Sequence, residues 1–480
     1  MRARKNWLST AVAVTVVATG LSLGAGIASA GQDFQRPTAG SDGGGDSYYP
    51  QDGNGGYDVA DYNLKVGYDP ATRQLTGLER ITAAATQALS SFDLDFRGLT
   101  VDSIKVDGRP ATFTRTGDHE LVITPKLPLW RWQRFAVEIA YHGVPAPIAN
   151  PLLGDLGWQY TNTGAAFVAG EPQSATTWYP VNDTPRDKAT FHLAITVPDE
   201  WGVISNGREK GTYKAAGGTT HVWAEETPIV PYMTTVAIDK WTFDRQRRAD
   251  GTPIVSAFSP GVADSVKQAE ARLPEILDFL ESKFGRYPID AAGGIFLNAP
   301  IGFSLETMSR PIYTSLAGSV GVIVHENAHQ WYGDSVAVTS WKDVCMNECF
   351  ASYAQWLWSE AKDGVDLNAR YLAAVKNAST NFWNAKLYDM GAGNEFTYVY
   401  SKGPVMLHAL RNYIGQDAFD RVLRTWPSLH RGGNGTMQGF QRLTETVAHR
   451  DLSGFFNAWI YGSGKPADEY LYPGTLKPAA

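Results

Sequence analysis

The sequence predicts an α+β fold of more than one domain, an antiparallel β-sheet domain first and a mainly helical domain second. Three observations predict it. The chain has 480 residues, 43% hydrophobic and 12% aromatic, enough to bury more than one domain's core. Between about Tyr57 and Arg248, apolar and polar residues alternate in short runs separated by turn residues, the period of a strand with one buried face. Beyond Asp250-Gly251 the apolar spacing lengthens to that of helices.

In chain order, Arg2, Arg4 and Lys5 precede an apolar stretch that ends in Ala28-Ser29-Ala30, the layout of a secretory signal cleaved after Ala30. An uncleaved membrane anchor is the alternative, since the stretch is nearly long enough to span a bilayer. Residues 31–55, rich in Gly, Asp and Ser, are expected as a flexible lead-in. Residues 56–248 form the expected β domain, with strands in "YNLKVGYD", "HELVIT", "FAVEIAYHG", "FHLAITVP" and "TTVAID". Residues 249–480 form the helical domain. Its helices are expected in "VADSVKQAEARLPEILDFLESKFG", "GSVGVIVHENAHQWYG", "VCMNECFASYAQWLWSEAKDG", "KGPVMLHALRNYIG" and "DAFDRVLRTW", with Gly333, Gly364 and Gly415 as stops.

No segment after the leader is apolar and long enough to cross a bilayer. Loss of the leader's three cations takes the formal net charge from −7 to −10, and no run of Lys or Arg interrupts that balance. A secreted, extracellular protein is expected, with no nucleic-acid partner and no stable membrane association after signal cleavage. The sequence holds no signal for an oligomeric state.

The chemistry concentrates in "VIVHENAHQWYGDS", residues 322–335. On a helix His325 and His329 lie on one face about 6 Å apart, so both imidazoles can point at one ion. Glu326 lies about 100° further round, beside the ion and placed to take a proton from an attacking water. A metzincin would need Gly and His where Tyr332 and Ser335 stand, so the third ligand lies elsewhere. "WKDVCMNECFASY" supplies Glu348, nineteen residues after His329, which alone reads as a solvated helix carboxylate and becomes a ligand candidate only downstream of H-E-x-x-H and after Asn347. Two His and one Glu leave a fourth tetrahedral position open, the form of a catalytic zinc site.

"VHENAHQWYGD" followed by "WKDVCMNECFASY" resembles the gluzincin aminopeptidases, peptidase family M1, which includes aminopeptidase N and the leukotriene hydrolases. "GEPQSATTWYPVNDTPRDKATF", "GFSLETMSRPIY", "VYSKGPVMLHALR" and "FFNAWIYGSGKP" extend the resemblance from about Gly56 to Pro466, at the scale of a short secreted bacterial-type member. It implies a saddle-like N-terminal sheet, a thermolysin-like catalytic domain, one zinc per chain held by His325, His329 and Glu348, and peptide substrates with a free N-terminus. It implies too that Glu326 is the general base, that Tyr400 stabilises the oxyanion, and that Glu171 and Glu306 hold the substrate ammonium. Read without the family, Tyr400 is a core tyrosine with Tyr398 as its rival. Likewise, Glu306 and Glu171 are ion-pair partners of Arg310 and Arg186.

The sequence departs from the family at Phe303–Thr307, where the glutamate of the usual G-x-M-E-N segment survives but its glycine and asparagine do not. The chain's two cysteines, Cys345 and Cys349, flank Glu348. Regular helix geometry holds positions four apart too widely for a disulfide, so free thiols, a disulfide in a distorted helix and a metal role all stand open. Asp343 is a candidate to orient a ligand, or an exposed helix-start carboxylate. Little chain follows Pro466 to cover the cleft. The expected function is a secreted zinc metallo-aminopeptidase, with a related zinc endopeptidase or a non-catalytic zinc-containing peptide-binding module as alternatives.

Overall fold

Alternation is what the backbone obeys in the first half. In Tyr57–Asp69 buried and exposed positions switch almost residue by residue, and Gln74–Ala85, Arg134–Gly143 and Ala189–Val197 do the same. The computed structural model describes residues 36–477, apart from 152, 162, 300, 301 and 315–318; the expected signal and the start of the lead-in lie outside the described residues.

These strands build an eight-stranded sheet ordered 208–215, 218–229, 189–197, 57–69, 74–85, 134–143, 100–106, 109–110. Neighbours are antiparallel except 57–69 against 189–197. Smaller sheets of five strands (148–150, 154–160, 166–169, 236–239, 202–205) and four strands (38–39, 89–95, 120–124, 112–116) pack with it. Tyr62, Trp158, Trp178, Tyr179 and Phe191 interlock in a shared aromatic core, with ring centroids 4.8–6.2 Å apart along the chain of contacts. All five strands expected from the alternation are present.

Around the turn at Asp250-Gly251 the chain is still in strands. Thr242–Arg247 pairs with Pro253–Phe258, which pairs in parallel with Ile295–Phe296 and through it with Ile312–Tyr313. The strand before Asp250-Gly251 therefore belongs to the helical half's own sheet. Its main helices are α1 (Asp264–Glu270), α2 (Leu273–Phe284), α3 (Val320–Ala328), α4 (Cys345–Asp363), α5 (Leu367–Asn377), α6 (Thr380–Asn384), α7 (Lys402–Ile414), α8 (Gln416–Leu429) and α9 (Met437–Ala448). The first expected helix is divided at Ala271-Arg272, where Pro274 opens α2 in the first helical turn that tolerates proline. Among the described residues no helix is long and apolar enough to cross a membrane.

The lead-in departs from its expected flexibility. From Pro37 it is packed: Asp46 Oδ2 accepts the Trp341 N–H at 2.8 Å, and the buried Asn54 donates its N–H to Asn182 Oδ1 at 2.6 Å. Tyr48 and Tyr49 reach the segment before Tyr400. The Tyr48 hydroxyl donates to Asp389 Oδ1 and accepts from the Gly391 N–H, while the Tyr49 hydroxyl donates to Glu395 Oε1. The lead-in is low in apolar side chains, so polar groups that satisfy one another carry its order.

Candidate metal centre

Helix α3 is capped by Ser319, whose side chain accepts the Val322 N–H, and ends at Ala328, with His329 still in helical backbone geometry. The two histidines stay on one face although the helix is shorter than the sequence suggested. The His329 Nδ1–H donates to the Tyr332 carbonyl at 3.0 Å, which leaves Nε2 for an ion. Gly333 makes that turn possible: its φ is +136°, and a Cβ there would stand 3.2 Å from His329 Nδ1.

Helix α4 runs alongside and presents Glu348 from its first turn. His325 Nε2 and Glu348 Oε2 are 3.2 Å apart, His329 Nε2 and Glu348 Oε2 3.4 Å, and the two Nε2 atoms 3.2 Å. A tetrahedral ion with bonds of about 2.05 Å holds its ligands about 3.3 Å apart, so this triangle has the edge lengths of one face of a zinc polyhedron. The protein residues therefore fit zinc. Burial raises the proton affinity of Glu348, but positive charge at His329 and the contacts of both histidines outweigh it and hold the carboxyl down at about 2; a bound metal ion would supply that positive charge in place of the histidine proton.

The other carboxylates stand around this triangle. Oxygens of Glu306 and Glu326 lie within 4.8 Å of one another and of a His329 nitrogen, and oxygens of Glu171, Glu306 and Glu348 are equally close together. Burial, then the neighbouring Glu306 and Glu348, push the Glu326 carboxyl well above its ordinary range. Glu306 Oε1 accepts the Tyr232 hydroxyl at 2.8 Å, whereas buried Glu171 Oε1 has no partner. Neither glutamate uses the arginine that the sequence offered. Arg310 is fully buried and donates to the carbonyls of Val255, Ser205 and Gly207. Arg186 donates to the carbonyls of Thr339, Gly44 and Gly45. Two neighbouring buried carboxylates thus face a 470 Å³ cleft that no lysine or arginine lines among the described residues.

Tyr400 lines the same cleft, its ring centroid 5.9 Å from that of His325 and its surface 48% exposed. Burial of the hydroxyl, then Glu348, Glu171 and Glu306, push its phenol well above the ordinary value, so it stays a neutral donor. Tyr398 instead packs its ring against Phe382 and lies outside this cleft.

Cys345 and Cys349 form a disulfide, with sulfurs 2.01 Å apart and Cα atoms 4.8 Å apart instead of the about 6.2 Å of a regular helix. Cys345 is the first residue of α4, entered from the single 3-10 turn Trp341–Asp343, and the irregular start permits the closer approach. The thiols are neither free nor metal ligands. Asp343 is buried and its Oδ1 accepts the Met437 N–H at 2.7 Å, so it anchors α9 instead of orienting a ligand. Sequence reasoning missed Tyr232, which positions Glu306, and Gln330, whose Oε1 accepts the Ser309 N–H at 2.8 Å and braces the turn after Glu306. Neither residue carries a spacing signal.

A second buried set, Asp95, His119 and Glu120, is of a different kind. Arg97 Nη2 stands 3.0 Å from His119 Nδ1, and a guanidinium only donates, so Nε2 carries the proton and gives it to the Gln51 carbonyl. That tautomer offers an ion no lone pair at Nε2. Burial pushes Asp95 up to about 8 and Glu120 up to about 9, so both hold protons at neutral pH.

The scaffold and the His-His-Glu triangle together define the gluzincin class of zinc centre. Residues 59–233 match the Peptidase M1 N-terminal domain and residues 313–459 the Peptidase family M1 domain. The chain belongs to peptidase family M1. Aminopeptidase N of Lactobacillus helveticus is 24% identical over 444 residues, 84% of this chain and 51% of that protein. Tricorn protease-interacting factor F2 of Thermoplasma acidophilum is 22% identical over 443 residues, 85% of this chain and 54% of that protein. The chain thus spans about half the length of these relatives. Among solved structures, the M1 zinc metallopeptidase from Deinococcus radiodurans superposes with a TM-score of 0.83 at 25% identity, covering 91% of this chain and 100% of its own. A variant of a two-domain M1 zinc metallopeptidase bound to L-arginine gives 0.81 at 25% identity, covering 88% and 99%.

Proposed function

We propose that the chain is an exported zinc aminopeptidase that removes single residues from the free N-termini of peptides. The observation that carries this reading is the pair Glu171 and Glu306, buried, with no lysine or arginine lining their cleft among the described residues, and within 4.8 Å of the ligand Glu348. An anionic pair beside the metal captures an ammonium and fixes its distance from the reacting carbonyl, so cleavage falls after the first residue. An endopeptidase has no use for such a pair, because the backbone nitrogen it meets is an uncharged amide.

His325, His329 and Glu348 would hold a zinc ion, which when bound would supply a Lewis acid to the scissile carbonyl and to water. Glu326 accepts the proton of the attacking water and returns it to the leaving amine; its raised proton affinity suits it to both transfers. Tyr400 donates its hydrogen to the carbonyl oxygen as negative charge develops there. Export rests on the leader, with its Arg2, Arg4 and Lys5, apolar stretch and Ala28-Ser29-Ala30 end. The test compares a short peptide with its N-acetylated twin, each incubated with the zinc-loaded chain. Release of the first residue from the free peptide alone supports the proposal; internal cleavage of both twins would overturn it.

A further inference from the structure

The loop 125–134, "PKLPLWRWQR", joins two strands of the β half and carries Lys126, Arg131 and Arg134 with no carboxylate among them. It exposes three large apolar side chains within six residues: Leu127 at 55%, Trp130 at 46% and Trp132 at 69%. Apolar groups exposed so close together mark an interaction surface, whereas scattered ones do not. Leu127 and Trp130 edge a groove of 410 Å³ that also holds Lys126, Arg109 and one carboxylate, Asp107, whose Oδ1 accepts the Ala136 N–H.

The loop is fixed. Leu129 is buried and exchanges both backbone hydrogen bonds with Leu89, at 2.8 and 3.0 Å, and the Trp132 N–H donates to Ala85 O at 2.7 Å. Trp130 to Gln133 form a tight turn closed by Gln133 N–H to Trp130 O at 2.9 Å, with Trp132 third at φ +69°. Among the turn's residues only that one has a positive φ, as in a type II turn, where glycine is the favoured occupant. A tryptophan held in a left-handed backbone strains the fold, and this one spends most of its surface on solvent with Arg131 stacked over its ring at 4.6 Å. The strain gains the folded chain no core contact.

We propose that this loop is a membrane-docking tip that seats Trp130, Trp132 and Leu127 at the interface of an anionic phospholipid surface, with Lys126, Arg131 and Arg134 against the headgroups. Tryptophan prefers the interfacial zone, and cations next to it select negatively charged lipid. The formal net charge of −7 conceals this local reversal of sign. The contact is peripheral and salt-sensitive, and so differs from the stable membrane association that the sequence argued against.

The test is co-sedimentation of the full chain with vesicles of phosphatidylcholine alone or mixed with phosphatidylglycerol, at low and high salt. Residues 1–35 contain an apolar stretch of their own, so the readout is each variant's loss relative to the parent chain. The parent should favour the anionic vesicles, and high salt should abolish the preference. Arg131→Glu should lose about fivefold or more of the anionic binding. Trp132→Gly separates docking from folding: it should weaken binding severalfold while leaving the melting temperature unchanged or higher, because glycine relieves the strained turn. Equal binding to both vesicle types, parent-like binding by Trp132→Gly, or a lowered melting temperature for that variant would overturn the proposal. The first result would leave the basic side chains without a role in docking.

Discussion

Replacing Glu171 by Gln keeps the shape of the side chain and removes its capacity to become an anion when a substrate ammonium arrives. In the free protein, burial and the neighbouring Glu306 and Glu348 push the Glu171 carboxyl well above its ordinary range, and its Oε1 has no partner. The native chain thus pays to keep an uncompensated acid in the cleft, and a substrate ammonium would supply what is missing. A charge-assisted hydrogen bond contributes about 1.5–3 kcal/mol, which converts to a loss of roughly 10- to 150-fold in kcat/KM for a free N-terminal substrate. Zinc binding should not change, because Glu171 is not a ligand. Stability should change little, since the free chain keeps this buried carboxyl protonated and the amide is likewise uncharged. The assay is hydrolysis of an aminoacyl anilide, with zinc content and melting temperature measured on the same samples. A kcat/KM within twofold of the parent, or a variant that loses zinc, would refute the anchoring argument.

Other outcomes follow from the same geometry. Tyr400→Phe should lower kcat by about 10²–10³ with KM little changed, the loss expected when one oxyanion donor is removed, as steady-state kinetics will show. Glu270 is buried, accepts from Ser256 Oγ at 2.6 Å and is pushed up to about 8 by burial, so the folded chain holds its proton more tightly than the unfolded chain. Its contribution is therefore fully present below pH about 4.5 and is lost as pH rises through about 8. Glu270→Gln should flatten that part of the stability profile in denaturant melts at several pH values. Gly403→Ala should destabilise by about 1–3 kcal/mol, because the new Cβ would lie 2.5 Å from Cys349 Sγ and 2.9 Å from Cys349 Cα, where α7 meets the disulfide of α4. Urea unfolding measures it.

The ligand set was the most legible part of the site, because helical periodicity turns a spacing of four into a shared face and needs no tertiary information. Glu171 and Glu306 come from distant segments, and only the family resemblance joined them to the zinc. Their rivals Arg186 and Arg310 could be dismissed only by seeing which carbonyls those guanidiniums satisfy. The lead-in misled for a physical reason. Hydrophobic patterning does not register order made by polar groups such as Asp46, Asn54 and Tyr48 pairing with partners far along the chain. The disulfide was obscured in the same way, since the regular helix assumed for residues 345–349 begins irregularly where the cysteines sit.

The account stands or falls on zinc at His325, His329 and Glu348 driving removal of N-terminal residues, and the most direct measurement is a zinc titration of the metal-free chain while first-residue release from a free peptide is followed. The account predicts activity that rises to a plateau at one zinc per chain, no cleavage of the acetylated peptide at any point, and a Glu326→Gln variant that takes up the same single zinc without activity. Full activity before zinc is added, or an active Glu326→Gln variant, would contradict it.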